Sequence, residues 1–532
     1  MKQLPTGLQV FETIRKRNAL YVDKTDIIYE WVSGIRKQFF LSRPRRFDKS
    51  LLCWTLDALF RGKRELFEGL AISKADWTWE SYPVIHLNMG MLCTINGVDG
   101  VRDSLIQYTK SIADEHEIDL HGTTEPVRML ERIYVGAAKK YGKPAVVIID
   151  EYDTPFLDFY DKPPSAQDVR HIMMNYYSWF KSNEPHIRFL FMTGISKFTQ
   201  DWVSSSRNNI YDMSLDKEFG TLLGYTEKEL VENFGEYLDD GAKKLNISVD
   251  ELTEKIRTYY YGFCFDGTNQ VYCPSSMLSF FENYLFLDHW MNSGSTTVIA
   301  NYMKDRNLTV EQFRGLQISR DFARMPGEIE TARPESFLYQ AGYLTLREGS
   351  YDDFSLDYPN TEVLNSMSQL VYKNMLQSNG GQYTDLYAPL VQALYDGNSK
   401  LLVDIINDFL VSIPYDDYTT SAKQGLMVSG LKITTQEWLY RSNILALLRG
   451  CGVLTFGEMH NSKGRSDLLV SYADNTWVIE IKVAYNDDCK TKAAEALKQI
   501  DDNQYADPYK SAKKLGIAID DKTRRVGEWV EG

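Results

Sequence analysis

The 532-residue sequence holds no apolar run near the ~18 residues that a spanning helix needs, which argues against a membrane anchor. Its first segment, Met1–Asn18, scatters charges where a secretory signal would keep an apolar stretch, so the expected compartment is the cytoplasm. Cysteine is scarce. The 6 residues Cys53, Cys93, Cys264, Cys273, Cys451 and Cys489 lie apart with no CxxC pair, which argues against a disulfide framework and a structural zinc site. The 7 histidines are as dispersed, with no HExxH motif. Positive charge is in deficit, 59 Lys and Arg against 73 Asp and Glu for a net −14. A uniformly basic coat for nucleic acid is therefore excluded, and any such contact must use a restricted face. Long linkers, low-complexity tracts and repeats are missing too. What remains is globular: 43% hydrophobic and 25% charged residues, in a length that at ~150 residues per domain suggests three or four units.

Three stretches can be told apart. Residues 1–215 alternate short apolar runs with helical patterns, and Gln38–Leu41, Val84–Leu87, Ala145–Ile149 and Arg188–Met192 are candidate buried strands. Strands separated by helices predict an α/β fold with a parallel sheet. Residues 216–425 read as mostly helical, with turns expected at Tyr261–Gly262, Cys273–Pro274 and Gly380–Gly381. The many tyrosines there suit a core better than a base-stacking platform. Residues 426–532 predict a helix through Glu437–Arg449, then strands, a helix near Thr491–Gln504 and a short strand at Gly516–Ile519.

In the first stretch, Phe39-Phe40-Leu41-Ser42-Arg43-Pro44-Arg45-Arg46-Phe47-Asp48-Lys49-Ser50 runs strand, loop, helix, the layout of a phosphate-binding loop. Lys49 would reach the β- and γ-phosphates and Ser50 would hold Mg²⁺, but Arg43 and Asp48 stand at the two glycine positions of G-x-x-x-x-G-K-[ST]. The alternative is that Asp48 is an N-cap for an amphipathic helix from Lys49 to Phe60. The strand Ala145–Ile149 delivers Asp150 and Glu151 at its carboxyl end, where one acid can support Mg²⁺ and the next polarise water. Thr193, after Phe189–Met192, is placed to sense a γ-phosphate. Arg188 and Arg207 are candidates for an arginine finger by position alone.

These runs carry a resemblance. Tyr21-Val-Asp-Lys-Thr25, the loop with Lys49-Ser50, Ile149-Asp-Glu-Tyr-Asp153, Thr193-Gly-Ile-Ser196, Leu223-Gly-Tyr-Thr-Glu227 and Tyr260-Tyr-Gly-Phe263 together resemble the bacterial AAA-ATPase-like domain family, across most of residues 5 to 285. The resemblance implies a P-loop NTPase-like domain with ATP and Mg²⁺ roles for Lys49, Ser50, Asp150 and Glu151. Arg46 and Asp48 become further candidate nucleotide contacts. The family carries glycine where this chain has Asp48.

At the carboxyl end, Gly464-Arg-Ser-Asp467 precedes Trp477-Val-Ile-Glu480-Ile-Lys482-Val483. Period-two alternation sends Trp477, Ile479, Ile481 and Val483 to one face and Val478, Glu480 and Lys482 to the other. A Glu and a Lys two apart on an apolar strand are costly to bury unless paired or bound to a ligand. A hairpin can bring Asp467 to Glu480, and two carboxylates with a nearby ammonium are the parts of a metal-assisted phosphodiester hydrolase. The bland reading is a two-stranded ribbon with a solvated Glu–Lys pair. Glu437 on the preceding helix and Gln499 on the following one, then Tyr505, complete an order that resembles the PD-(D/E)XK nuclease superfamily over about 425–530. The resemblance makes Asp467 and Glu480 Mg²⁺ ligands, Lys482 the catalytic cation, Glu437 an auxiliary acid, and Gln499 and Tyr505 phosphate or fold-supporting groups. Lys498, Lys510, Lys513, Lys514, Lys522, Arg524 and Arg525 would supply local positive surface, or simply a solvated face.

The expectation is a P-loop NTPase-like α/β domain over residues 1–215, a helical lid or linker over 216–425 and a restriction-endonuclease-like α/β domain over 426–532. The implied partners are ATP with Mg²⁺ and nucleic acid, DNA in preference to RNA, with oligomerisation left open. The alternative is a pseudo-ATPase that binds nucleic acid or a partner without cutting.

Overall fold

Short β-branched and aromatic runs, each closed by a polar loop, become the five strands of one parallel sheet. In the computed structural model these are β1 (Gln38–Ser42), β2 (Val84–Asn88), β3 (Ala145–Asp150), β4 (Ile187–Gly194) and β5 (Tyr211–Asp212). The structure describes residues 1–159, 163–181, 184–197, 210–292, 310, 313–319, 322, 333–348, 353–377, 386–413, 426–428, 431–433, 436–451, 453–461, 464–472, 475–485, 488–509 and 511–532. The chain divides into two compact units, Met1–His289 with Gln317–Asn360, and Trp290–Leu316 with Thr361–Gly532.

The sheet of the first unit has the order β2-β3-β4-β1-β5, every neighbour parallel. Both faces are covered, as parallel sheets require. Phe40, Val147, Ile149, Leu190 and Met192 pack on one side against helices Gly97–Glu115, Pro126–Tyr141 and Pro163–Tyr177. Phe39, Leu41, Val146, Ile148, Phe189 and Phe191 pack on the other, against Thr25–Ser33 and Lys49–Phe60. β4 separates β1 from β3, so the phosphate-loop strand and the acidic strand are not neighbours.

The rest of this unit is helical with small sheets. Helix Glu227–Leu245 starts at a capping box in which Thr226 and Glu229 satisfy each other's backbone donors. Tyr260 and Tyr272 are buried in the core that this helix shares with Val249–Tyr260 and Pro274–Asn283. β6 (Tyr261–Cys264) and β7 (Gln270–Tyr272) form a hairpin. β8 (Leu316–Ile318), β9 (Thr345–Glu348) and β10 (Phe354–Asp357) form a sheet in the order β8-β10-β9. The turn expected at Tyr261–Gly262 is instead the start of β6, which pairs with β7, and Gly262, at φ +119°, stands where a Cβ would lie 2.3 Å from the Pro359 carbonyl oxygen. Cys273–Pro274 opens a helix, with the proline in its first turn. Gly380–Gly381 lies outside the described residues.

In the second unit, β11 (Leu426–Val428) and β12 (Leu431–Ile433) form a hairpin ahead of the helix Gln436–Gly450. A mixed sheet follows in the order β13-β14-β15-β16-β17, from β13 (Leu454–Asn461), β14 (Gly464–Tyr472), β15 (Asn475–Ala484), β16 (Lys513–Asp520) and β17 (Arg525–Glu531). Only β15 and β16 run parallel, joined through the helix Cys489–Asp502. One face, with Leu468, Val470, Trp477, Ile479, Ile481 and Val483, packs under the 436–450 helix and the helices of 387–412. The other, with Leu469 and Val478, meets Ile500 and Tyr505. Gly516 of β16 stands opposite Glu480, and a Cβ there would lie 2.4 Å from the Ala493 carbonyl oxygen, so the crossover helix rests directly on the strand.

All six cysteines are free thiols. Among the described residues no helix is long and apolar enough to cross a membrane.

Candidate nucleotide cleft and carboxylate site

The first candidate site lies at the carboxyl ends of β1, β3 and β4, where a parallel sheet leaves its crevice. It is a cleft of about 610 Å³ whose walls include Arg46, Asp48, Lys49, Ser50, Glu151 and Gly194, with Pro5–Gln9 along one side. Arg46 and Asp48 have positive φ, +68° and +51°. Asp48 thus adopts the left-handed conformation that glycine takes at no steric cost, and the loop keeps that shape without glycine.

Asp48 stands at the N-cap position of the Lys49–Phe60 helix, yet its side chain makes no capping hydrogen bond. The capping explanation fails, because a left-handed residue does not have the extended backbone from which a side chain reaches the first-turn N–H groups. Burial raises the Asp48 carboxyl to about 7 against the opposing pull of Lys49 and Lys24. The Lys49 ammonium is buried and donates to the Pro44 carbonyl at 2.8 Å, and burial pushes its pKa down. Arg43, at the other glycine position, is fixed in the core. Its guanidinium donates to the carbonyls of Ser42, Ser214 and Phe219 and lies over the Phe265 ring.

Asp150 is 1% exposed and accepts from the Glu151 amide at 2.9 Å. Glu151 lines the cleft at φ +52°, its pKa raised by burial and by Asp150. Thr193 does not line the cleft. Its hydroxyl donates to the Leu41 carbonyl at 2.7 Å and ties β4 to β1, so the cleft wall at this strand end is Gly194 and Ile195. Asp153, to which the sequence pattern assigned no role, organises that wall by accepting from the amides of Ile195 and Ser196 and from the Ser196 hydroxyl. Its signal was its place as the third acid of the Asp150–Asp153 run. Arg188 is excluded as a finger for this cleft. It sits at the amino end of β4, stacked on Phe60 and Tyr82, at the far end of the strand from Gly194. Arg207 lies outside the described residues.

The second candidate site is in the other unit, at the junction of β14 and β15. Backbone pairing of these strands stops at Leu468 and Ile479, and the two acids take over the next step. The Asp467 amide donates to Glu480 Oε2 at 3.2 Å, and the Ile481 amide donates to Asp467 Oδ2 at 2.8 Å. Glu480 Oε1 accepts from Gln499 Nε2 on the crossover helix and lies 3.7 Å from Lys482 Nζ. Lys482 Nζ is also 3.4 Å from Glu437 Oε1 on the 436–450 helix. Burial first, and the Asp467 charge second, raise the Glu480 carboxyl to about 8. The structure thus brings together Asp467, Glu480, Lys482, Glu437 and Gln499. The Tyr505 hydroxyl accepts from Asn503 Nδ2 at 2.9 Å and lies against Gly464.

One member of the site was missed in the sequence. Arg441 Nη1 donates to Asp467 Oδ1 at 3.2 Å. Its spacing, one helical turn after Glu437, was the readable signal. The expected basic cluster divides. Lys513 and Lys514, at the start of β16, pair with Glu531 and Asp501. Lys522, Arg524 and Arg525 lie at the β16–β17 turn, at the other end of the strand. Lys510 lies outside the described residues.

Among the described residues no group of three or more His, Cys, Asp or Glu is arranged to hold a metal. The carboxylate site offers two acids, and Mg²⁺ is commonly held by one or two while it keeps several waters. Two buried carboxylates whose oxygens converge at one step of the sheet are hard oxygen donors, and their chemistry fits a hard divalent cation.

Residues 5–204 match the family described as predicted AAA-ATPase, and residues 435–529 match the PD-(D/E)XK nuclease superfamily. Over 541 residues, 99% of this chain and 98% of the relative, the sequence is 29% identical to a protein of Azotobacter chroococcum mcd 1 described as "Uncharacterized protein in vnfD 5'region". Among solved structures, Cdc6p from Pyrobaculum aerophilum is similar over 67% of this chain and 93% of that one, at 9% identity and a TM-score of 0.24. The Aeropyrum pernix Orc1 protein in complex with DNA is similar over 84% and 88%, at 12% identity and a TM-score of 0.24. The chain therefore carries an AAA-ATPase-like domain at its amino end and a PD-(D/E)XK nuclease superfamily domain at its carboxyl end.

Proposed function

We propose that this protein is a Mg²⁺-dependent nuclease that hydrolyses phosphodiesters of DNA, and that its amino-terminal domain binds ATP. The observation that supports this best is the convergence of Asp467, Glu480 and Lys482 from two strands, with Gln499 and Glu437 positioning them from two helices. A divalent ion, when bound, would supply Lewis-acid activation and a water of lowered pKa. The protein's own groups then have distinct tasks. Asp467 and Glu480 would hold the ion, and Gln499 fixes the Glu480 carboxylate. Lys482 orients the attacking water and offsets the charge developing on phosphorus. Glu437 holds Lys482 in place.

In the amino-terminal domain, Lys49 would contact the terminal phosphates, Ser50 and Asp150 would serve Mg²⁺, and Glu151 would polarise water. Arg46 would contact the phosphates from the loop. Asp48 favours a second reading for this domain, a nucleotide sensor of low hydrolytic power, because its carboxyl stands beside the phosphate path.

The test is cleavage of plasmid and single-stranded DNA with Mg²⁺ by the unmodified chain and by a Glu480→Ala, Lys482→Ala double variant. Cleavage by the unmodified chain alone is expected. Equal activity in the two preparations overturns the assignment.

A further inference from the structure

Glu151 takes a left-handed backbone, φ +52°, which is strained in a residue other than glycine and persists only where the surroundings enforce it. Its neighbours do so on both sides. The Glu151 amide donates to Asp150 Oδ1 at 2.9 Å, and the Glu151 carbonyl accepts from the Thr154 amide at 3.1 Å. The Tyr152 amide donates to the Thr193 carbonyl at 3.1 Å, and the Tyr152 hydroxyl to the Ser196 carbonyl at 2.8 Å. Asp153 then accepts from the Ile195 amide, and from the amide and hydroxyl of Ser196, both at 2.7 Å. The segment that Asp153 grips is fixed again further on. There the Lys197 amide donates to Gln340 Oε1 at 2.6 Å and the Lys197 ammonium to Asp212 at 2.9 Å. No Cβ fits at Gly194, which rests on the Asp153 carboxylate and the Tyr152 ring.

The Glu151 side chain is placed from another direction. A Cβ at Gly90, just after β2, would collide with Glu151 Oε2, so the carboxylate occupies the room that the missing side chain leaves. Outside the Glu151 carboxyl group, the next atom such a Cβ would meet is Asn88 Oδ1, at 3.1 Å. Gly90 is exposed and is not among the residues with positive φ, so its own backbone does not call for glycine. The carboxylate does.

We propose that Asp153 and Gly90 are positioning residues for hydrolysis of a nucleoside triphosphate: Asp153 clamps the strained turn that carries Glu151, and Gly90 leaves its carboxylate a place in the cleft. The step is attack of a water oxygen on the γ-phosphorus while the bond to the β-phosphate oxygen breaks. The water proton passes to the Glu151 carboxylate and on to solvent, so ATP and water give ADP, phosphate and a proton. This rests on the reading of the cleft as an ATP site in which Glu151 polarises water. It adds two residues that act through Glu151.

Steady-state ATP hydrolysis and calorimetric titration of ATPγS with Mg²⁺, both on the full chain, test the proposal. Gly90→Ala is expected to lower kcat about tenfold with ATPγS affinity and melting temperature unchanged, because the methyl group displaces a side-chain tip and no backbone. Asp153→Asn is expected to lower kcat by a similar factor at unchanged ATPγS affinity, since an amide nitrogen cannot accept from Ile195 or Ser196. With Glu151→Gln in place, Gly90→Ala is expected to add no further loss, as residues that act through one group are not additive. Unmodified kcat in Gly90→Ala, or the same fold-loss with and without the Glu151 carboxylate, overturns the proposal. So does a loss of ATPγS affinity in either variant as large as its loss of kcat, which marks a merely structural role. Should Asp153→Asn fail to fold, Ser196→Ala removes one donor to the same carboxylate and is expected to lower kcat severalfold, and unmodified kcat there overturns the role of Asp153. ATPγS binding without any ATP hydrolysis by the unmodified chain overturns the proposal and leaves the ATP site standing. Absence of ATPγS binding by the unmodified chain removes the ATP reading of the cleft itself.

Discussion

The amide of Asp467 donates to the Glu480 carboxylate at 3.2 Å, at the step where the backbone ladder between β14 and β15 ends. Two side chains replace the missing rungs, so the acids are held by the sheet itself and not by loops. Rigid elements position such groups more closely than loops do.

Glu480→Gln should separate stability from function. The substitution keeps the shape of the side chain and removes a carboxyl that burial raises to about 8, so that its ionised form is disfavoured. Cleavage is expected to fall at least about a hundredfold through lost metal affinity, while thermal stability at pH 8 holds or rises. Parallel plasmid cleavage and thermal melting check this, and a variant that melts well below the unmodified protein contradicts it.

Asp48 carries a pH signature. Its folded-state carboxyl, at about 7, lies above the unfolded value near 3.8, so the ionised form is the disfavoured one in the folded protein. The resulting penalty is absent at low pH and grows as pH rises from about 4 through 7. Asn tolerates the left-handed conformation and has no charge to desolvate. Asp48→Asn is therefore expected to stabilise the protein by on the order of 2 kcal/mol at pH 8, with the difference disappearing toward pH 4. Denaturant unfolding of both forms across that range measures it.

Nucleotide binding should respond to the same position. Asp48→Gly removes a carboxylate from the cleft wall and, on the proposed ATP-binding reading, is expected to tighten ATP·Mg²⁺ by about tenfold or more. Lys49→Ala is expected to abolish detectable binding. Titration calorimetry compares the three proteins, and equal affinities for the unmodified chain and Asp48→Gly would mean that the carboxylate does not oppose the triphosphate.

Gly516 links packing to the second site. An alanine Cβ would press on the Ala493 carbonyl and the Leu497 amide of the crossover helix that carries Gln499. Gly516→Ala is expected to cost about 1–3 kcal/mol and to lower cleavage by shifting Gln499 from Glu480. Unfolding curves and cleavage rates test both effects.

Much of this was legible in the sequence because buried parallel strands are short apolar runs. Gln38–Leu41, Val84–Leu87, Ala145–Ile149 and Arg188–Met192 each mark a strand of the parallel sheet to within two residues at either end. β5 was not legible, since its two residues Tyr211–Asp212 have no period to detect. β17 was missed as well, because an exposed edge strand lacks the apolar alternation of a core strand. In the carboxylate site, alternation on β15 correctly put Glu480 on the face opposite Ile479 and Ile481. Arg441 escaped because the helix carrying it reads as a core helix, and only its spacing from Glu437 hints at a shared edge. Thr193 was misjudged for a related reason: placement at a strand end does not say whether a hydroxyl faces the crevice or the neighbouring strand.

The left-handed turns at Arg46 and Asp48 have a genetic consequence. The loop already bends as a glycine-bearing loop would, so glycine at position 48 would ask for no rebuilding of the surrounding fold. In the genetic code an aspartate codon becomes a glycine codon by one base exchange. A charged and an uncharged form of this loop therefore stand a single mutational step apart, on the same scaffold.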